Sequence, residues 1–179
     1  MDEATNKRLG ELLKRLAKGE VSVLTDIADI MKHILMKIGY AYYRNRADLE
    51  DAIQGLYVKL YDKAKYFRKN TNACSWIIKI FINSIKTQLS KKKREENYLQ
   101  REIVNLKAEA DFTSEDYIEK HLIVREIFDK LTDEERQMVI YYYWGKCSLQ
   151  EVAKILHKSK TAIYNKVVKL EEKIKKLLE

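Results

Sequence analysis

Proline is absent from this chain of 179 residues, and glycine occurs only five times. These two residues are the ones that most often end helices and form turns. A chain with so few of them can remain helical over long stretches if its apolar residues recur every three or four positions. We therefore expect an all-α fold.

The apolar pattern predicts four helices in the first half of the chain. Apolar residues recur at helical spacing in four runs, which lie at 9–16, 27–38, 49–60 and 76–89. Gly19 is predicted to end the first helix in a left-handed conformation, and Asp48 is predicted to cap the third. Asn and Thr side chains between Phe67 and Ser75 favour a turn before the fourth helix.

A second group of helices is predicted in the last third of the chain. Apolar residues at 123, 127 and 131 indicate one helix. Thr132 and Glu135 fit a capping box that begins the next helix, which runs through the sequence YYYW to Gly145. Residues 95–121 lose the helical pattern and turn acidic, as expected of a linker. We predict two small helical domains, 1–94 and 122–179, joined by that linker.

The charge of the chain favours a polyanionic partner. The formal net charge is +8, from 35 Lys and Arg against 27 Asp and Glu, which is typical of proteins that bind nucleic acid or an anionic membrane surface. No apolar run approaches the roughly 20 residues that span a bilayer, and the start MDEATNKRLGE lacks the apolar core of a secretory signal. We expect a cytoplasmic protein with no membrane association.

Few residues suggest chemistry at a catalytic or metal centre. Cys74 and Cys147 are far apart and in no metal-ligand spacing, so we interpret both as buried or half-buried free thiols. The three histidines, His33, His121 and His157, are scattered, and no acidic cluster has metal-ligand spacing. We expect no metal, no cofactor and no catalytic residue, which disfavours a nucleic-acid enzyme such as a recombinase or nuclease.

The sequence SLQEVAKILHKSKTAIYNKVVKLEEK, at residues 148–173, is typical of a helix-turn-helix. Ser148 and Glu151 fit a second capping box, and HKSK has about the length of the connection. Side chains that can reach phosphates or base edges are predicted to point outward from the second helix, namely Lys160, Thr161, Tyr164, Asn165, Lys166 and Lys169. The competing interpretation is an amphipathic surface helix with a solvated charged face.

Taken together, the two groups of helices resemble the sigma factors of bacterial RNA polymerase, of the two-domain, extracytoplasmic-function type. The resemblance covers about Leu9 to Leu178 and depends on three blocks of sequence. In the second domain it covers LTDEERQMVIYYYWGKCSLQEVAKILHKSKTAIYNKVVKL, which is similar to the domain that reads the upstream (minus-thirty-five) promoter element. Residues 161–164, TAIY, differ from the Gly-Thr-Val-Lys/Arg that the family commonly has there.

A second block, RADLEDAIQGLYVKLYDKAKYF at residues 46–67, is similar to the family's segment that docks on the clamp helices of the polymerase large subunit. The resemblance implies polymerase contacts for Asp48, Glu50, Asp51 and Gln54. Gly55 departs from the Glu that is usual in the family, at a cost of about 1 kcal/mol in helix propensity relative to Ala. An acid/base pair at positions 50 and 51 is disfavoured because neighbouring helix positions diverge.

The third block, FRKNTNACSWIIKIFINSIKTQLSKKKR at residues 67–94, is similar to the family's promoter-melting segment. There a loop captures a flipped base of the minus-ten element, and the next helix follows the single strand. The family's Trp and helix Asn correspond to Trp76 and Asn83, for which the resemblance implies DNA contacts. From their chemistry, Asn70, Thr71 and Asn72 are predicted to contact an unstacked base, and Lys79 and Lys86 to follow the backbone. Such side chains suit an unstacked base and its backbone, although Trp76 can also be interpreted as a core anchor. Ala73 departs from the bulky apolar residue common in this loop.

The resemblance implies a sigma factor that binds core RNA polymerase and directs promoter-specific initiation without being an enzyme. Its implied partners are the large-subunit clamp helices and promoter DNA, with an anti-sigma factor as a further candidate. The alternative is a stand-alone helix-turn-helix regulator, which would not need the block at residues 48–54.

Overall fold

The structure, a computed structural model, describes residues 2–43, 45–68, 70–99 and 123–178. Throughout these ranges the chain forms helices and short connections, with no strand. We call residues 2–99 the first lobe and residues 123–178 the second lobe. The predicted all-α, two-domain class is confirmed.

Four helices form the first lobe: α1 (Glu3–Ala17), α2 (Val23–Tyr42), α3 (Arg46–Lys63) and α4 (Ala73–Leu99). A short 3-10 turn, Ala64–Tyr66, follows α3. Gly19 has a φ of +93°, and its N–H donates to the carbonyl of Leu16 at 2.9 Å. The predicted left-handed end of α1 is therefore confirmed.

The predicted cap of α3 is wrong by three residues. Asn45, not Asp48, is the N-cap, and its Oδ1 accepts a hydrogen bond from the N–H of Asp48 at 2.7 Å. Asp48 lies in the first turn, where the positive end of the helix dipole also favours a carboxylate. Asn45 and Asp48 are both residue types that cap helices well. The helix begins directly after the first of them.

The first lobe has a continuous apolar core. Each helix contributes fully buried side chains, among them Leu13, Met31, Leu56 and Phe81. α2 and α3 approach closely at Gly39, where a Cβ would lie 1.8 Å from Cδ1 of Leu49. This contact fixes the position of α3, which carries the predicted polymerase-binding residues, relative to α2.

Helix α4 is longer than the sequence predicts, because it runs to Leu99. The predicted domain end at residue 94 therefore lies within a helix. The rest of the predicted linker falls in 100–122, outside the described residues, as does His121. The domain boundaries stay a prediction.

The second lobe contains a helix at 123–129, which we call α5, followed by α6 (Asp133–Met138), α7 (Leu149–Leu156) and α8 (Lys160–Leu178). The capping boxes at the starts of α6 and α7 are both present, as predicted. A π-helical turn, Val139–Trp144, extends α6 through the aromatic run, and the N–H of Gly145 donates to the carbonyl of Ile140 at 2.8 Å. This wider turn was not predicted, since its spacing has no simple sequence signal.

Candidate nucleic-acid and polymerase interfaces

Helices α7 and α8 and the turn between them form a helix-turn-helix. His157 ends α7 in a left-handed conformation, with a φ of 54°, and the N–H of Lys158 donates to the carbonyl of Ala153 at 2.9 Å. Oγ of Ser159 then accepts a hydrogen bond from the N–H of Ala162 at 3.1 Å in the first turn of α8. Local hydrogen bonds therefore fix both ends of the turn.

The outer face of α8 carries most of the side chains that the sequence assigned to DNA. Ile163, Val167 and Leu170 are buried against the second lobe. The opposite face is exposed and polar, with Lys160, Thr161, Tyr164, Asn165 and Lys169. These side chains stand free for phosphates and base edges, and their role in DNA binding stays a prediction.

Lys166 has a different environment from the rest of that set. It is half-buried, and its Nζ lies 2.6 Å from Oε2 of Glu134 on α6. Lys173 makes a similar ion pair with Glu135, at 2.8 Å. Both pairs hold α8 against α6, so Lys166 has a structural partner that helical spacing alone could not reveal.

The ion pair at Glu135 also affects its titration. Partial burial of this carboxylate raises its pKa, but hydrogen bonds from Lys173 and from the N–H and hydroxyl of Thr132 outweigh that effect. The net result is a pKa below the ordinary value of 4.5. The ionised form of Glu135 is therefore part of the folded second lobe.

The predicted polymerase-binding residues lie on the exposed face of α3. Glu50, Asp51 and Gln54 are exposed, and Glu50 pairs with Arg46 one turn earlier, at 2.7 Å. An open groove of about 290 Å³ runs between α2 and α3 beside them, and its lining includes Asp29, Lys32, Met36, Glu50, Ile53, Gln54 and Tyr57. The arrangement offers charged side chains around an apolar floor, which suits a protein partner.

Asp48 makes different contacts from Glu50, Asp51 and Gln54. Its Oδ2 is 3.2 Å from Nζ of Lys92 on α4 and accepts a hydrogen bond from Nδ2 of Asn45 at 3.0 Å. These contacts join the start of α3 to α4, so a structural role accompanies the predicted polymerase contact.

The turn before α4 is built around Asn72. Its Oδ1 accepts a hydrogen bond from the N–H of Ser75 at 2.9 Å, and its carbonyl accepts one from the hydroxyl of Ser75. The N–H of Cys74 donates to Oδ1 of Asn6 on α1 at 3.0 Å. Asn72 therefore serves as the N-cap of α4, while Asn70 and Thr71 are exposed beside it.

Trp76 packs as an anchor of this turn. It is half-buried, and its ring lies edge-on to that of Phe67, with centroids 5.3 Å apart. The structure thus gives Trp76 a packing role, and its predicted DNA contact stays a prediction. Further along α4, Lys79 and Asn83 are exposed and Lys86 is half-buried.

Two of the predicted minus-ten residues contact the second lobe. Nδ2 of Asn72 donates to Oε1 of Glu151 on α7 at 2.7 Å. Nζ of Lys86 lies 3.0 Å from Oδ2 of Asp133 on α6. Sequence reasoning missed these contacts because nothing in the local pattern indicates which lobe-to-lobe pairs form.

Glu151 has a hydrogen-bond environment of its own. Partial burial raises its pKa, but hydrogen bonds from the N–H of Ser148 and the amide of Asn72 outweigh that effect, and the pKa lies below the ordinary value of 4.5. One carboxylate thus completes the capping box of α7 and binds the turn before α4.

Aromatic residues also contribute to the contact between the lobes. The ring of Phe128 stacks on Trp144 with centroids 5.5 Å apart and meets Tyr42 of α2 edge-on at 5.6 Å. A guanidinium N–H of Arg125 donates to the carbonyl of Tyr43 at 2.8 Å. We call Tyr42, Phe128 and Trp144 the aromatic joint. The aromatic run YYYW is evident in the sequence, but its pattern does not indicate a contact with the first lobe.

Cys74 and Cys147 are free and buried, as predicted. Burial is the main cause that raises the pKa of each thiol to about 12. Their positions lie along the contact between the lobes, because Asn72 binds Glu151 and a Cβ at Gly145 would lie 3.1 Å from Cδ1 of Ile78.

Over the part of the chain that the structure describes, no cluster of three or more His, Cys, Asp or Glu residues could hold a metal ion. Within the same ranges, none of the helices combines the length and apolar character needed to cross a membrane.

Comparison with known families identifies both lobes. The family model for Sigma-70 region 2 matches residues 30–95, and the model for Sigma-70 region 4 matches residues 121–174. The two matches together cover about two thirds of the chain. The chain belongs to the sigma-70 family. As a sigma factor of the extracytoplasmic-function type, it binds core RNA polymerase and directs promoter-specific transcription initiation. The region 2 match covers the predicted polymerase-binding and melting segments, and the region 4 match covers the helix-turn-helix.

Solved structures share the fold of this sigma factor. The structure of CnrH in complex with the cytosolic domain of CnrY matches with a TM-score of 0.69 and 16% identity, covering 97% of each chain. The sigma factor RpoE in complex with the anti-sigma factor NepR from Bartonella quintana matches with a TM-score of 0.60 and 19% identity, covering 86% of this chain and 96% of that one. Among curated protein sequences, none matches.

Proposed function

We propose that this sigma factor binds polymerase through α3 and contacts promoter DNA at two places. The turn before α4 binds the minus-ten element, and α8 binds the minus-thirty-five element. The observation that carries the proposal is the exposure of Glu50, Asp51 and Gln54 beside the open groove between α2 and α3. A regulator that binds DNA alone has no need of such a surface.

The polymerase contact follows from the shape and charge of this surface. The groove accepts apolar side chains of a partner helix, and the carboxylates at its edge favour a partner with basic residues. Because Gly55 has no Cβ, the backbone of a partner can approach α3 closely there.

DNA contacts divide between positioning and reading. Lys160 and Lys169 reach phosphates, which fixes the register of α8 on the duplex. Thr161, Tyr164 and Asn165 supply the donors and acceptors that distinguish base edges in the major groove. Asn70, Thr71 and Asn72 do the same for an unpaired base, and Lys79 and Lys86 follow its backbone.

Promoter opening in this proposal needs no catalytic residue, because the free energy of binding the unpaired strand offsets the cost of unpairing it. We therefore propose a non-enzymatic subunit that acts in the cytoplasm with polymerase. An anti-sigma partner is also proposed, supported by the fold shared with RpoE in its complex with NepR.

Reconstitution with core RNA polymerase tests the proposal. The double variant Glu50→Lys/Asp51→Lys should lose the complex and the promoter-dependent transcript, since it reverses two exposed charges on the proposed contact. Glu3→Lys/Glu11→Lys makes the same charge change on the exposed face of α1 and should behave as the wild-type chain. Duplex binding by the wild type without any complex with core polymerase would favour the stand-alone regulator.

A further inference from the structure

We propose that α8 selects an upstream element made of consecutive A·T pairs, with Asn165 on an adenine and with Thr161 and Val168 on thymine methyl groups. Such a preference deepens the proposed function and rests on its placement of α8 in the major groove. It specifies which base pairs this chain selects there, which the match to the region 4 model leaves open.

One exposed side of α8 carries four side chains that suit base edges. Thr161, Asn165 and Val168 follow each other at spacings of four and three residues, on the side of the helix opposite its buried residues. Tyr164 lies beside them with 56% of its surface accessible, and Val168 is 38% exposed. We call Thr161, Tyr164, Asn165 and Val168 the reading stripe. An exposed valine in this position gains free energy by covering an apolar group of a ligand.

The reading stripe lies in the part of α8 that a helix-turn-helix places in the groove. Helices of this kind contact base edges mainly through their N-terminal residues, and α8 begins at Lys160. From Thr161 to Val168 the helix rises by about 10 Å, which equals about three base-pair steps. The reading stripe can therefore cover three or four successive base pairs, and Glu172, the next exposed residue on this side, follows beyond that span.

The amide of Asn165 is complementary to adenine. Its oxygen accepts a hydrogen bond from the N6 amino group while its nitrogen donates to N7. At the major-groove edge, only adenine offers a donor and an acceptor in this arrangement. Asn165 therefore selects one A·T pair and its orientation.

The apolar parts of the reading stripe are complementary to thymine. The C5-methyl of thymine is the apolar group that the major groove presents, and threonine methyls and small apolar side chains are its usual contacts. Thr161 and Val168 carry such methyl groups on either side of Asn165, and the ring of Tyr164 lies next to both. The contacts before and after the adenine thus favour A·T pairs as well.

The side chain that most often reads guanine is missing from the helix-turn-helix. Arginine is the commonest partner of guanine O6 and N7, but no arginine follows Arg136 in the sequence. The guanidinium of Arg136 itself donates to the carbonyls of Phe128 and Asp129. Neither α7 nor α8 therefore has a planar fork of donors for a G·C pair.

The lysines of α8 are poorly suited to replace that arginine. Lys166 is half-buried, and its Nζ lies 2.6 Å from Oε2 of Glu134. Lys160 and Lys169 lie on either side of the reading stripe, where the proposed function assigns them to phosphates. An ammonium group is also a point charge, which fixes a base edge less well than a guanidinium does. The contacts that discriminate between bases therefore favour A·T.

Selection by the reconstituted holoenzyme tests the base preference. The wild-type chain with core RNA polymerase selects bound duplexes from a library of random sequence, and the selected duplexes are sequenced. We expect the block farther from the transcription start to contain at least three consecutive A·T pairs, the number that the reading stripe covers. An invariant G·C pair inside that run would overturn the proposal.

Base analogues test the individual contacts on the selected duplex. 7-Deazaadenine lacks the N7 acceptor, and uracil lacks the methyl group of thymine. For the wild-type holoenzyme we expect 7-deazaadenine in the upstream block to weaken binding about five- to twenty-fold, and uracil about two- to five-fold. The matched control places the same analogues in the spacer between the two selected blocks, where affinity should stay the same.

Variants of the exposed side chains show which residue contacts which base. Asn165→Ala should bind the adenine and 7-deazaadenine duplexes equally, and Thr161→Ser/Val168→Ser should bind the thymine and uracil duplexes equally. Analogue effects that persist in these variants would contradict the assignment. An A·T-rich block on which the analogues have no effect would also overturn it, because DNA shape alone can produce that selection.

The double variant Lys160→Gln/Lys169→Gln distinguishes the base preference from the placement of α8. Loss of two phosphate contacts should weaken holoenzyme binding uniformly across upstream sequences. If binding weakens but the selected block contains an invariant G·C pair, α8 lies on the upstream element as proposed and the A·T preference is wrong. If neither this variant nor Asn165→Ala changes upstream binding, the placement of α8 fails, and the base preference fails with it.

Discussion

Two carboxylates of the second lobe, those of Glu135 and Glu151, each have two structural roles. Glu135 and Glu151 each close a capping box and each bind a side chain from outside their own helix. Their pKa values lie below 4.5 because those hydrogen bonds outweigh the effect of burial. A lowered folded pKa means that the unfolded chain takes up the protons first as the pH falls.

The stability of the second lobe should therefore depend on acid through these two residues. Their contribution is complete above the ordinary value of 4.5 and is lost as the pH falls through the lower folded values. Glu135→Gln/Glu151→Gln keeps the caps without titrating, so its unfolding midpoint in urea should fall less between about pH 6 and pH 3 than that of the wild type. Parallel pH profiles of the two proteins would contradict this.

At the scale of helices, alanine substitution at two glycines is expected to change the free energy of unfolding in opposite directions. Gly39 lies where α2 meets α3, and a Cβ there would lie 1.8 Å from Cδ1 and 3.1 Å from Cγ of Leu49. Leu49 is fully buried, so it cannot move without disturbing the core. We expect Gly39→Ala to destabilise the chain by about 1–3 kcal/mol in urea unfolding.

Substitution of Gly55, in the middle of α3, is expected to have the opposite effect on stability. Apart from its chain neighbours and the backbone of its own helix, no atom lies within 4 Å of a Cβ built there, so Gly55→Ala should raise the free energy of unfolding by about 0.5–1 kcal/mol. The same variant should weaken binding to core polymerase if the partner's backbone approaches α3 at this point. Stabilisation with unchanged polymerase affinity would show that the glycine has no role in docking.

Helix α8, which we propose reads the DNA duplex, also allows a prediction at this scale. Lys169 is exposed, whereas Lys166 is half-buried and paired with Glu134. Lys169→Gln should therefore reduce the dependence of duplex affinity on salt by about one counterion, measured as the slope of log K against log salt concentration. Lys166→Gln should change that slope less and lower the stability of the second lobe instead.

The two lobes together are expected to unfold as one unit, because Phe128 contacts Tyr42 in the first and Trp144 in the second. Phe128 is only 2% exposed, and its replacement by Ala should cost about 3–5 kcal/mol. We expect calorimetry of Phe128→Ala to show two transitions where the wild type shows one. A single transition in the variant would mean that the aromatic joint does not couple the lobes.

Sequence patterns predicted most of this architecture, for physical reasons. Helical periodicity located the core faces, and the capping boxes at Thr132 and Ser148 located two helix starts, because both depend on residues close in sequence. The π-helical turn and the contacts of Asn72 and Lys86 with the second lobe were not predicted. They depend on how distant segments pack, which no local spacing encodes.

The double role of Glu151 also has an evolutionary consequence. Substitutions that abolish its bond to Asn72 also remove a hydrogen bond that starts α7, so most of them compromise the helix-turn-helix as well. Lineages that tune how readily the lobes part would therefore accumulate changes at Asp133, which supplies a lobe contact without accepting a capping hydrogen bond. Variation at position 133 alongside an invariant glutamate at 151 is the pattern expected among its relatives.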